Sequence, residues 1–64
     1  MNIIRELREA KGMTQEELGK QVGVDQSAVA KWESGTNVPE VTKAVRLADL
    51  FHVSLDVIYG RQRA

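Results

Sequence analysis

Apolar positions recur along the chain at helical steps of three and four, and glycine or proline interrupts them at intervals. Ile3, Ile4, Leu7 and Ala10 make one inward stripe and predict a first helix over residues 2–11, with Gly12 as its stop. Thr14 opens a second helix. Its hydroxyl can accept from the Glu17 amide while the Glu17 carboxylate reaches back, the T-x-x-E capping box. Leu18 and Val22 face inward there with Gly19 between them. A glycine at that point lets another helix backbone approach closely, at a cost of about 1 kcal/mol of helix propensity relative to alanine. Gly23 supplies a turn at positive φ, and Val24 plugs the core below it. Asp25 begins a third helix, which Gly35 closes; Thr36, Asn37, Val38 and Pro39 form a loop. Pro39 is expected to open a fourth helix carrying Val41, Ala44, Leu47, Ala48 and Phe51 on one side. Ser54 caps a last short helix with Leu55, Ile58 and Tyr59 inward, and Gly60 ends it.

The fold class is therefore all-α: one compact five-helix domain over residues 1–60. A polar tail, Arg61 to Ala64, is either a true terminus or the start of a linker. The third helix has two unlike sides. Ala28, Val29 and Trp32 make its apolar stripe, while Gln26, Ser27, Ala30, Lys31 and Ser34 fall opposite. Small, hydrogen-bonding and cationic groups on one helix face suit the base edges of a DNA major groove.

Composition narrows the alternatives. Sixty-four residues suffice for one small core, and the absence of cysteine excludes a disulfide framework and a thiolate zinc site. His52 is the single histidine and reads as an exposed helix-end residue, so no metal and no cofactor is expected. Nine basic and nine acidic residues cancel, which argues against a binder relying on bulk positive charge. Site-specific readers can instead seat phosphates on helix starts and loop amides. No apolar run reaches the length of a membrane span and no signal-peptide pattern opens the chain. The expectation is a soluble, cytoplasmic, nucleoid-associated protein of prokaryotic or phage type.

With the helices placed, the chain closely resembles the lambda-repressor-like helix-turn-helix domains of the Cro or XRE family. The carrying residues are Ile4 to Arg8, Gly12 to Leu18, Val22-Gly23-Val24, Trp32 to Gly35, Pro39, Leu47-Ala48, Phe51 to Asp56 and Gly60. The resemblance implies a domain that binds double-stranded operator DNA as a homodimer, with the third helix in the major groove. By position, Gln26, Ser27 and Lys31 look like base readers, with Ala30 beside them. Thr14 and Gln15 at the start of the second helix, and Thr36 and Asn37 in the loop after the third, look like DNA backbone contacts. Gln15 can also brace Gln26. Arg8 and Glu33 match a partly buried salt bridge. Many relatives have alanine where this chain has Gly19, a departure expected to loosen the second helix.

Each of these residues has a plainer reading beside the functional one. A glutamine amide can pair with adenine N7 and N6, whereas elsewhere it is a solvated polar group. Ser27 suits a base or a phosphate, and Lys31 guanine or a phosphate. The Ala30 methyl either packs on thymine or merely leaves room. Gln15 is also an ordinary first-turn residue, at a helix start that offers amides to a phosphate. Trp32 belongs to the core. Glu16 and Glu17 are dipole partners in a first turn rather than an acid/base pair, and no serine has a nucleophile-elbow context, so no catalysis is expected. The last helix, through Leu55, Val57, Ile58 and Tyr59, is the expected source of a dimer contact. The leading function is a sequence-specific transcriptional regulator, a repressor by operator occupancy. The competing one is a protein-interaction module of an antitoxin or adaptor regulator, motivated by the neutral charge and small size.

Overall fold

A computed structural model describes residues 3–60; Asn2 of the expected first helix and the expected tail over residues 61–64 lie outside the described residues. Five helices follow in order: α1 Ile3–Ala10, α2 Gln15–Val22, α3 Gln26–Ser34, α4 Val41–Phe51 and α5 Leu55–Ile58. α2 packs chiefly on α3 and α4 on α5, while α1 touches both α3 and α5 and so closes the bundle.

The core is the set that helical spacing selects. Leu18, Val22, Val29 and Leu47 are the largest fully enclosed side chains, with Ile4, Trp32, Ala44, Ala48, Phe51 and Ile58 around them. Each enclosed aliphatic side chain contributes roughly 2 kcal/mol from surface removed from water. Ile3, Leu7, Met13 and Val24 pack against this cluster from its edge.

Local chemistry fixes where the helices start. The Thr14 hydroxyl accepts from the Glu17 amide at 3.0 Å and the Glu17 carboxylate accepts from the Thr14 amide at 2.8 Å, so the capping box is complete. Asp25 caps α3 and Ser54 caps α5 through side-chain oxygens. Gly23 ends α2 at φ 83°, a left-handed conformation that a Cβ disfavours.

Gly19 departs from expectation in what it lets approach. The close neighbour is not another helix but the turn itself: a Cβ on Gly19 would lie 2.6 Å from the Val24 carbonyl oxygen. The glycine therefore lets the turn fold down onto α2, and its carbonyl accepts from the Gly23 and Val24 amides at 2.8 and 2.9 Å. This seating fixes the turn against α2.

Expectations at Pro39, Val41, Ala10 and Leu55 are corrected. Pro39 does not open α4, because Glu40 stays extended as the N-cap and Val41 is the first helical residue. Pro39 is instead buried, and its carbonyl accepts from the Tyr59 hydroxyl at 2.9 Å, which ties the loop to the last helix. Val41 is 65% exposed and Ala10 is exposed, since each lies at a helix end that no neighbouring element covers. Leu55, placed on the inward side of α5 by spacing, is 39% exposed, whereas Val57 is half-buried. A four-residue helix turns too little for periodicity to assign its faces.

His52 ends α4 at φ 57°, the one non-glycine residue with positive φ among the described residues. Left-handed backbone costs an L-residue about 1–2 kcal/mol, which glycine avoids. His52→Gly should raise stability by about 1 kcal/mol, read as a higher chemical-denaturation midpoint at an unchanged slope. A lower midpoint would show that the imidazole does more than end the helix.

Candidate nucleic-acid interface

The third helix is held by its apolar side. Val29 and Trp32 are buried and Ala28 is half-buried, so the opposite side is left to solvent. Gln26, Ser27, Lys31 and Ser34 are exposed there, and Ala30 lies half-buried among them. Cap geometry, one apolar stripe and the seated turn together present this surface.

Behind it runs a chain of hydrogen bonds that crosses three helices. Arg8 on α1 donates from Nε to Glu33 Oε2 at 2.6 Å and from Nη2 to Glu33 Oε1 at 3.1 Å, a two-pronged pairing. The side chains are only 12% and 6% exposed. Arg8 also donates from Nη1 to the Met13 carbonyl at 2.8 Å, fastening the loop between α1 and α2. Glu33 then accepts from Gln15 Nε2 at 3.1 Å, and Gln15 Oε1 accepts from Gln26 Nε2 at 2.6 Å. The expected salt bridge and the expected brace are thus links of one path. Their connection through Gln15 and Glu33 is the part that sequence reasoning missed, because no periodicity relates residues so far apart.

The direction of each bond matters. Burial pushes the Glu33 carboxyl up, but the hydrogen bonds from Arg8 and Gln15 and the Arg8 charge outweigh it and hold the group below its ordinary value. The pairing with Glu33 in turn raises Arg8. An ionised Glu33 can only accept, so Gln15 must present its amide nitrogen to Glu33 and its oxygen to Gln26. Gln26 is left with its oxygen and its second N–H hydrogen for a ligand. That donor and acceptor pair is what an adenine edge needs.

The expected backbone contacts are differently equipped. The Thr14 oxygen accepts from within its cap, which leaves the hydroxyl hydrogen as a donor. The Gln15 side chain is engaged on both sides, so the α2 amides at the helix start are better suited to an anion than that side chain. Ser34 donates to the Lys31 carbonyl at 3.1 Å, so Thr36 must donate in the 2.8 Å contact between the two hydroxyls. Thr36 can serve a phosphate only if that pair opens. The Asn37 amide is spent on the Lys31 carbonyl at 3.2 Å, while its side chain is exposed. A further residue, Asp25, enters the interface unannounced: its carboxylate accepts from the Ala28 amide and from the Ser27 hydroxyl, both at 2.9 Å. A helix-capping Asp two residues before a Ser was the available signal.

Two short helices set by a glycine turn, with the second presenting a polar side braced from behind, define a helix-turn-helix domain of the lambda-repressor-like type. The sequence model of the helix-turn-helix family matches residues 4–58, and the chain belongs to that family. The HTH-type transcriptional activator BcrR of Enterococcus faecalis is 36% identical over 53 residues, covering 83% of this chain and 26% of that protein. The uncharacterized HTH-type transcriptional regulator YobD of Bacillus subtilis (strain 168) is 37% identical over 57 residues, 89% of this chain and 51% of that one. The chain thus spans about a quarter and about half of these two relatives. The transcriptional repressor RstR of cryptic phage CTXphi in Vibrio cholerae is 32% identical over 54 residues, 84% of this chain and 48% of RstR. Among solved structures, the P22 c2 repressor in complex with synthetic operator 9T superposes with a TM-score of 0.87 at 26% identity, covering 97% of this chain and 98% of that one.

Proposed function

We propose that this domain is a sequence-specific transcriptional regulator that reads duplex DNA in the major groove with α3. The observation that carries the reading is the exposed side of α3, where Gln26 is held in a defined orientation by the Arg8, Glu33 and Gln15 chain. Gln26 reads adenine. Lys31 reaches a guanine edge or a phosphate, and the Ala30 methyl lies where a thymine methyl can pack. Thr14, the α2 amides with Gln15, and the loop residues Thr36 and Asn37 engage the sugar-phosphate backbone and set the docking register. Occupation of an operator makes the protein a repressor, in line with the repressors among its relatives.

A two-fold dimer would place two α3 helices roughly 34 Å apart and double the readout. The last helix supplies its contact through Leu55 and Val57. Ile58 is buried in the protomer core and Tyr59 is tied to Pro39, so these two support the helix rather than meet the partner. Leu55→Glu should shift the protein toward monomer in sedimentation and leave its fold intact.

The deciding experiment replaces Gln26 with Ala. Affinity for the preferred site should fall about tenfold or more while random-sequence binding stays nearly constant. Equal weakening on both would remove Gln26 as a reader. In the same assay, Lys31→Ala separates its two roles: relaxed preference marks base contact, whereas uniform weakening with a salt slope reduced by about one marks phosphate contact. A protein that binds no duplex but retains a protein partner would instead be an interaction module.

A further inference from the structure

The hydrogen-bond direction at the front of α3 bears on what Ser27 reads. A serine hydroxyl ordinarily donates or accepts, and so discriminates poorly between base edges. Here its single hydrogen has an acceptor beside it. Asp25 Oδ1 lies 2.9 Å from Ser27 Oγ and 2.9 Å from the Ala28 amide, and a carboxylate cannot donate to either. The Ala28 amide, then the Ser27 hydroxyl, hold the Asp25 carboxyl below its ordinary value, so it remains an acceptor at neutral pH. The cap that starts the helix also fixes the carboxylate in place, because Asp25 cannot turn away from Ser27 without losing the Ala28 bond.

We infer that Asp25 makes Ser27 an acceptor-only reader, selecting the exocyclic amino group of adenine or cytosine in the major groove. This inference rests on the proposed reading of DNA by α3. A hydroxyl whose hydrogen is spent offers only lone pairs. Guanine O6, thymine O4, purine N7 and phosphate oxygens are all acceptors and repel it; adenine N6 and cytosine N4 are the donors in that groove. The Asp25 charge adds to the exclusion of phosphate. Ser27 is thereby a base reader and not a backbone contact, and Asp25 is its positioning residue.

The test is a set of paired protein and base changes in the wild-type preferred duplex. Purine in place of adenine, or 2-pyrimidinone in place of cytosine, deletes the exocyclic amino group; 2-aminopurine in place of guanine deletes O6. At one position, amino deletion should weaken wild-type binding about threefold to tenfold, the worth of one hydrogen bond, and should cost nothing further in Ser27→Ala. Asp25→Asn keeps an acceptor oxygen in the cap and should preserve this coupling. Asp25→Gly, which retains most of the capping, releases the hydroxyl and should abolish the amino selectivity.

Coupling of Ser27 to O6, to N7 in a 7-deazapurine duplex, or to a neutral methylphosphonate would overturn the inference. So would unchanged amino selectivity in Asp25→Gly. Thermal unfolding by circular dichroism establishes that each variant is folded. Should Asp25→Gly not fold, the wild-type and Ser27→Ala cycle decides alone. A wild-type protein with no preferred duplex would instead defeat the reading of DNA itself, a separate outcome.

Discussion

Glu33→Ala should cost the domain about 1–3 kcal/mol, because the mostly enclosed Arg8 guanidinium loses its two-pronged partner and keeps only the Met13 carbonyl and the Glu9 carboxylate 4.0 Å away. The same change removes the acceptor of Gln15 Nε2, so Gln15 and then Gln26 lose their fixed orientation. Two readouts should move together: the denaturation midpoint, and selectivity for the preferred duplex over random DNA. Glu33→Gln keeps the shape and separates charge from geometry. Acid adds a further check with a definite sign. The folded chain holds the Glu33 carboxyl below its ordinary value, so the unfolded chain takes up that proton first as pH falls. The stability it contributes is complete above about pH 5 and is lost as pH drops below the ordinary glutamate value near 4.3 and through the lower folded value. The wild-type protein should therefore lose stability on acidification more steeply than Glu33→Gln. Parallel losses would show that ionisation of Glu33 adds no stability to the folded chain.

Gly19→Val should be comparably damaging through the backbone. A Cβ at this position meets the Val24 carbonyl oxygen at 2.6 Å and the Asp25 carbonyl oxygen at 3.2 Å, and neither oxygen is the end of a flexible side chain. The turn must lift, and with it the cap that aims α3. Overpacking of this kind costs about 1–3 kcal/mol, and valine adds two methyl groups beyond the first clash. Gly19→Ala is the informative contrast, since about 1 kcal/mol of helix propensity offsets part of its strain. The expected order in chemical denaturation is wild type highest, alanine below it because its Cβ already meets the Val24 carbonyl oxygen, and valine lowest. Valine near wild type would mean that the turn is not seated on Gly19.

The parts of this fold that were legible in the sequence are those decided within a few residues. The Thr14 and Glu17 capping box, the Gly23 turn and the inward set Leu18, Val22, Val29, Trp32, Leu47 and Phe51 are local or periodic, and the structure carries each of them. Where elements met the bundle edge, the pattern failed. Val41 reads as core by spacing but is largely exposed, and Leu55 sits on a helix of four residues. His52 in the left-handed region had no signal at all, because histidine there is tolerated rather than required. At the interface, the outward residues of α3 followed from its apolar stripe. The path from Arg8 through Glu33 and Gln15 to Gln26 did not, since bond direction depends on which groups can only accept. Arg8 with Glu33, and Gln15 with Gln26, were available through family resemblance alone.

These physical features converge on the outward side of α3, whose small polar and cationic groups are exposed while its other side anchors the core. We propose that this side meets paired bases, with phosphate contacts supplied by α2 and the loop after α3. Selection of duplexes from a random library, repeated at two salt concentrations, measures that directly. The expected result is an enriched two-fold-symmetric sequence whose preference survives the higher salt and collapses when Gln26, Ser27 and Lys31 are together replaced by alanine. Enrichment of no sequence, or of the same sequence by the triple variant, would contradict it.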